Sequence, residues 1–507
     1  MVDPETERVR LPRIDRVEAL VSTLQATSRD FADMLRRDGR VGVALRRHGL
    51  AQWGGGRYLD AIDALGAALA LSLEQGGDST DLWRELAGAY DGMGDREAAL
   101  GCVQAALQTR ADDVQAWFLL GRLQSRSRQW KAAEIAFNRA LELKPDFAEA
   151  HFGAGLAHFA SGRPEPATAS LHRALAAGYE ALSIHLVLGH VRYLAGDFAG
   201  SACAFEVAAA GAALPSDARR TYVRACTYLA VIEDGVEAAK AVFHALTEGA
   251  VETIDTVFRD GFELLAGSGQ GEAARALGGF RLEQNPGDSG QSYLLESLNG
   301  GSLARAPAVY VEEHFDRFAD TFDRKLVDVL GYDAPVRMAT LIGRTRASFD
   351  HILDLGCGTG LAAPHLAALG DRITGVDLSS RMLELAARRS LYTELAKAEA
   401  LEFLNARPNG FDLVFAADVL VYFGDLEAVF EAVAHALAPS GYFALCVELC
   451  ESASYQVLPS GRFAHGEAYL KRAAGTRFAM VEAAQAQLRL EGGRPVQGLF
   501  QVLRRIA

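Results

Sequence analysis

Cysteine is scarce: six in 507 residues (Cys102, Cys203, Cys226, Cys357, Cys446 and Cys450). None falls into CxxC or CxxxCxxC spacing, so zinc knuckles and iron–sulfur clusters are not indicated and no metal site is expected. Buried, reduced thiols in a cytoplasmic protein are the plain expectation. Positive charge is also short, with 51 Lys and Arg against 65 Asp and Glu and a formal charge of -14. A protein built to hold a phosphate backbone clusters its Lys and Arg, so no nucleic-acid partner is expected. Long apolar runs are missing: no stretch of about 18 uncharged apolar residues exists to span a bilayer. The start, MVDPETERVR, lacks the apolar core of an export signal. No membrane partner and a soluble, cytoplasmic location follow as expectations.

What the chain has in quantity is apolar residues, 50% of the total, enough for a sizeable core. Its length suggests roughly three domains. Self-similarity organises the first part. Leu82-Trp83, Ala116-Trp117, Ala150-His151 and Ile184-His185 follow one another at steps of 34 residues. Gly121, Gly155 and Gly189 keep the step, as do Ala106, Ala140, Ala174 and Ala208, and Gly94, Gly162 and Gly196 mark an inner turn. Small residues recur where two helices must approach, and larger ones (Leu120, Phe137, Leu171, Phe205) where they fill the gap. The pattern resembles the tetratricopeptide repeat, most clearly in WFLLGRLQSRSRQWKAAEIAFNRALELKP from Trp117. The resemblance implies an all-α solenoid over 41–300, clearest at 80–213, preceded by a 1–40 helical segment with Val17, Leu20, Leu24, Phe31 and Leu35 at helical spacing. Degraded units are expected as far as Pro286. A solenoid groove implies a protein or peptide partner, with a homo-oligomer surface as the alternative.

After the Gly-containing link 299–307 the 34-residue period stops, and a domain boundary is expected near residue 305. Short apolar runs then alternate with helical ones: HILDLG and AAPHLAAL, RITGVDL and RMLELAARR, a third strand near YTELAKAEA, FDLVFAADVL and DLEAVFEAVAHAL, then GYFALCVEL. That order predicts an α/β domain over 306–507 with a mostly parallel sheet. Gly356, Gly358 and Gly360 form a GxGxG turn at the end of the first strand, and Asp377 ends the second strand 21 residues after Gly356. A carboxylate there can accept both hydroxyls of a ribose. A dinucleotide site has GxGxxG and a pyrophosphate that Asp354 would repel, whereas a ligand with an amino group and a sulfonium would not be repelled.

DLGCGTG closely resembles the first motif of class I S-adenosylmethionine-dependent methyltransferases, so the chain as a whole is expected to be multidomain, a tetratricopeptide solenoid followed by a Rossmann-like methyltransferase domain. The resemblance implies S-adenosyl-L-methionine as cofactor. Asp354, Gly356, Cys357, Gly358 and Gly360 would hold its amino-acid end, Asp377 its ribose, Leu378 and Glu399 its adenine, with Ala416, Ala417 and Asp418 beside the methyl group. A solvated Glu399 is the alternative, because many relatives have Asp there. Tyr310 is expected to touch the cofactor from the mobile end of the helix containing Phe315, Phe318 and Phe322, a stripe that otherwise reads as core. GRFAHGEAY places Arg462, His465 and Tyr469 where such enzymes carry substrate-binding insertions. Arg462 and Tyr469 are candidate acceptor contacts; His465 is the candidate base, or a structural histidine, with Tyr422 or Glu448 as substitutes. The expected activity is methyl transfer to a protein or peptide recruited by the solenoid. The alternatives are a small-molecule O- or N-methyltransferase whose repeats dimerise or dock a partner, and a non-enzymatic adaptor.

Overall fold

The structure, a computed structural model, describes residues 14–247, 252–301, 303–324, 326–327, 331–491 and 494–506. Residues 1–13 of the expected N-terminal segment lie outside them. The rest of that segment is two helices rather than one, Ile14–Thr27 and Arg29–Asp38. Ser28 leaves the helical region at φ -119° and its hydroxyl accepts the N–H of Phe31, a cap that ends one helix and starts the next. Val17 and Phe31 are buried, as their spacing predicts.

Helix pairs with the 34-residue step follow, and the residues that repeat are those that set the helix separation. A Cβ on Gly121 would sit 2.8 Å from the ring of Phe137, and one on Gly189 2.6 Å from Phe205. The ring of one helix therefore lies against the bare backbone of its partner, and Ala106, Ala140, Ala174 and Ala208 are buried at the same interfaces. Asp95 and Asp197, at equivalent repeat positions, cap their helices by accepting Ala98 N–H and Gly200 N–H. At the inner turn Gly94, Gly162 and Gly196 have positive φ, and the missing member of that series is Arg128, held at φ 58°. Helices continue beyond the clear repeats through Ile254–Gly267 and Gly271–Gln284, where degraded units were expected, and a further one, Ser289–Leu298, follows Pro286.

The compact units do not divide at residue 305. Among the described residues, one comprises those up to 161 together with 165–184; the other joins 162–164 to those from 185 onward. Within the second unit the later repeat helices and the α/β domain share a core in which Phe258, Phe262 and Tyr293 cluster with Tyr310 and Phe463. Tyr293 donates its hydroxyl to Gly461 O at 2.5 Å, Ala306 N–H reaches Tyr422 O at 2.9 Å, and Gly424 N–H reaches Ala304 O at 2.8 Å. The pattern change near residue 305 thus marks a change of architecture, and the packing runs across it.

The sheet consists of β1 (Ile352–Leu355), β2 (Ile373–Asp377), β3 (Glu394–Lys397), β4 (Phe411–Ala416), β5 (Leu437–Leu449), β6 (Tyr455–Val457), β7 (Phe463–His465), β8 (Phe478–Glu491) and β9 (Arg494–Arg505). Its order is β3-β2-β1-β4-β5-β7-β6, with β9 pairing β5 and β8 pairing β9. Neighbours from β3 to β5, and β5 with β7, are parallel; β9 is antiparallel to both β5 and β8. The strand order reverses between β1 and β4, so a crevice opens at their carboxyl ends. β1 is buried along its length, as a central parallel strand requires.

Candidate functional site

At that crevice is a cavity of about 330 Å³. Gly356, Gly358 and Gly360 carry the chain out of β1 at φ 68°, 53° and 79°, which side chains resist. Gly356 and Cys357 both donate their N–H to Val376 O, at 2.9 and 3.0 Å, tying the turn to the end of β2. A Cβ on Gly358 would meet nothing nearer than Phe322 at 3.9 Å, so the turn presents bare backbone to the cavity there.

Asp377 stands beside the turn. Its Oδ2 accepts Gly358 N–H and its Oδ1 accepts Ser379 N–H, each at 2.9 Å. Burial raises its pKa against the pull of those two donors. Asp354 is enclosed, and desolvation pushes it up to about 7, although Tyr392 donates a hydrogen bond to it at 2.6 Å. A buried acid with that pKa becomes a strong partner for a ligand cation.

The structure brings Asp354, Gly356, Cys357, Gly358, Asp377, Leu378, Glu399, Ala417, Asp418, Tyr422 and Arg462 to the cavity wall. Glu399 also caps the helix Ala400–Asn405, its Oε2 accepting Leu401 N–H and Glu402 N–H at 2.8 and 3.0 Å. Gly360 shapes the turn beside Arg389 and Tyr392 rather than lining the cavity. The helix Ala308–Phe318 and the short turns after it cover the opening. Lys397 binds Glu312 at 2.6 Å, Ser379 donates to Asp316, and Arg389 binds Asp323 at 2.6 Å. Phe315, Phe318 and Phe322 line the cavity instead of filling a core.

Three residues stand elsewhere than expected. Tyr310 is buried against Tyr293, with ring centroids 5.4 Å apart, because the later repeats pack on the start of its helix; it does not reach the glycine turn's cavity. His465 is wholly buried, and its Nε2 lies 2.9 Å from Phe423 O and 3.2 Å from Gly424 O, which assigns the proton to that nitrogen. Desolvation drops its pKa to about 4, so it stays neutral at ordinary pH. Tyr469 accepts Leu426 N–H at 2.7 Å and donates to Asp425 at 3.0 Å. Both residues hold the 423–426 loop behind Tyr422, and of the three expected from that element only Arg462 lines the cavity.

Sequence reasoning missed Arg489, Tyr332, His314, Arg305 and Glu263, all of which line it. Arg489 lies on β8 with 4% of its side chain exposed, and it binds Asp418 Oδ1 at 3.2 Å and the Glu448 carboxylate. Asp418 sits at φ 57° with its N–H against Cys446 Sγ at 3.3 Å, so ion pair and thiol together hold a left-handed aspartate at the end of β4. The alternation of AQAQLRLE could have pointed to β8 as a strand; a single arginine within it carried no signal.

Residues 352–441 match a family model described as a methyltransferase domain, and residues 84–146, 122–167 and 152–218 match a tetratricopeptide repeat model. Among curated proteins, the chain is similar to ubiquinone biosynthesis O-methyltransferases. That of Pseudoalteromonas translucida is 31% identical over 110 residues, 21% of this chain and 47% of the relative; that of Xylella fastidiosa is 32% identical over 111 residues, 21% and 45%. The chain thus spans about half the length of the curated relatives it matches. Among solved structures, the N-methyltransferase NodS from Bradyrhizobium japonicum bound to S-adenosyl-L-homocysteine aligns at TM-score 0.29 and 22% identity, over 34% of this chain and 85% of that one. The [4+2]-cyclase SpnF aligns at TM-score 0.35 and 15% identity, over 41% and 99%. Among the described residues no helix is long and apolar enough to cross a membrane. The family matches, falling on the residues that build the glycine turn and on the 34-residue steps, establish that this chain carries a methyltransferase domain behind tetratricopeptide repeats.

Proposed function

We propose that the protein transfers a methyl group from S-adenosyl-L-methionine to a small molecule that enters the cavity beside Tyr422. One observation carries the cofactor assignment: the bare backbone at Gly358 sits between a buried acid, Asp354, and a half-buried carboxylate, Asp377, inside the segment that matches the methyltransferase model. That donor set suits the group. Asp354, with its raised pKa, gains most from a cationic amine, and Asp377 offers lone pairs to a diol. Leu378 and Ala417 supply apolar wall, and Glu399 a carboxylate. The cofactor supplies a methyl group on a sulfonium, whose leaving group is a neutral thioether.

Chain residues then need chiefly to orient the acceptor and keep water away, since alignment alone provides much of the rate in such a displacement. Phe315, Phe318 and Phe322 give the cavity an apolar wall beside its opening. Desolvation pushes the Tyr422 phenol up to about 12, so at neutral pH it keeps its proton and orients an acceptor by donating a hydrogen bond. His465, neutral and bonded to backbone carbonyls, supports the Tyr422 turn rather than taking a proton. Two facts favour a small acceptor: the cavity is walled by the covering helix and by Glu263 of a repeat helix, and the curated relatives are named for a small-molecule methylation. Recruitment of a polypeptide acceptor by the repeats gains no support from either.

Calorimetry with S-adenosyl-L-homocysteine tests the reading. Wild type should bind it, and Asp377→Ala should bind at least about tenfold more weakly, through the loss of hydrogen bonds to a charged acceptor. A wild-type protein that fails to bind would overturn the proposal.

A further inference from the structure

The cavity wall divides by chemistry. Around the glycine turn it is bare backbone with Asp354 and Asp377; away from the turn, the covering helix and the 419–423 turn supply Val311, Phe315, Phe318, Tyr422 and Phe423. Phe315 meets Tyr422 edge to face at 5.5 Å and Phe322 in the same way at 5.7 Å, so these rings hold one another in place. The charged groups of the wall are already matched. Arg489 binds Asp418 at 3.2 Å and also Glu448, Arg462 binds Glu491 at 2.5 Å, Arg305 lies 3.6 Å from Glu399, and Glu263 is engaged as well. A carboxylate or an ammonium brought here would give up its water and find the counter-charges taken. An uncharged ring gives up little water and gains the faces and edges of the rings around it.

One polar atom of this wall is still open to a ligand. Asp418 meets Arg489 through Oδ1, and its side chain, 23% exposed, lines the cavity. Its Oδ2 takes no hydrogen bond from the described residues and is not enclosed. Burial raises the pKa of Tyr332 and of Tyr422, and Asp418 adds to the rise in both, which sets the two phenols near this one carboxylate. A hydroxyl suits such a corner, since it can donate to Oδ2 and accept from a tyrosine at once.

We infer that the methyl acceptor is an uncharged aromatic hydroxyl compound, its ring against Phe315 and Tyr422 and its hydroxyl donating a hydrogen bond to Asp418 Oδ2. Asp418 is then the side chain that tells a hydroxyl from an ether. The inference rests on the methyltransferase reading above and gives its acceptor a chemical class.

Calorimetry on the full chain saturated with S-adenosyl-L-homocysteine tests it with five probes: phenol, anisole, benzoate, benzylamine and cyclohexanol. Phenol should bind at least about tenfold more tightly than anisole, which lacks the donor, and than benzoate or benzylamine, which carry a charge. It should bind at least about threefold more tightly than cyclohexanol, which lacks the flat ring. In Asp418→Asn an amide takes the place of the carboxylate, and the preference for phenol over anisole should fall below about threefold. If that variant does not fold, the wild-type series decides alone. A charged probe or anisole binding as tightly as phenol, binding of no probe, or an intact preference in Asp418→Asn overturns the inference while leaving cofactor binding in place. Failure of the wild type to bind S-adenosyl-L-homocysteine overturns the methyltransferase reading, and this inference falls with it.

Discussion

At the scale of single residues, Asp354 sets stability against binding. Its folded pKa of about 7 lies above the 3.8 of an ordinary aspartate, so between those values the native state holds a proton that the unfolded chain has lost. Its contribution is fully present below about pH 4 and is lost as pH rises through 7. Asp354→Asn removes that loss: without ligand the variant should match wild type near pH 4 and exceed it by up to about 4 kcal/mol above pH 7, measured by denaturant unfolding across pH. The same variant should bind S-adenosyl-L-homocysteine more weakly. Arg489 is a contrasting case, since it neutralises Asp418 and Glu448 where burial already raises the Glu448 pKa. Arg489→Leu strands two carboxylates and should cost about 3–5 kcal/mol in the same unfolding measurement. Arg128→Gly should instead stabilise, by about 0.5 kcal/mol, because relief of a left-handed side chain outweighs the added freedom of the unfolded chain.

At the scale of elements, the hairpin β6–β7 and the helix Glu467–Ala474 act as a brace. Tyr469 satisfies the N–H of Leu426, and His465 satisfies the carbonyls of Phe423 and Gly424, so the turn carrying Tyr422 is held from behind. Tyr469→Phe leaves that buried N–H without its acceptor and should cost about 1–3 kcal/mol. Thermal unfolding with and without S-adenosyl-L-homocysteine should show lowered stability and an unchanged ligand-induced shift. The glycine turn and Asp377 were legible in the sequence because each is fixed by local backbone geometry: GxGxG needs no distant partner to adopt positive φ. The repeats were legible for the same reason, since their glycines face rings at a fixed separation along the chain. His465 and Tyr469 were misplaced because their motif gives the chemistry of two side chains and not the face they turn to, which the pairing of β7 with β5 decides. Arg489 and Glu263 were invisible because each reaches the cavity only through pairing or packing across long sequence separations.

At the scale of the molecule, the boundary between compact units follows residue 184 and not residue 305. The second unit keeps Phe258, Phe262 and Tyr293 covered by Tyr310 and Phe463. A fragment of residues 185–507 should therefore unfold in one cooperative transition and bind S-adenosyl-L-homocysteine as the full chain does. A fragment of residues 306–507 should be aggregation-prone, because it exposes the apolar face those repeats cover. Circular dichroism and light scattering distinguish the two outcomes, and a well-folded 306–507 fragment would contradict the shared core.

The bond from Tyr293 to Gly461 restricts how such a chain can be remodelled. Gly461 stands at φ 73° next to Arg462, and a Cβ there would come within 2.9 Å of Leu294. The last repeat and the hairpin turn are thus cut to each other's shape at a point one residue from the cavity. A foreign solenoid grafted ahead of residue 306, or a foreign methyltransferase domain placed behind residue 300, would inherit a mismatched seam. The final repeats of this chain can therefore change only in step with the domain they are fitted to.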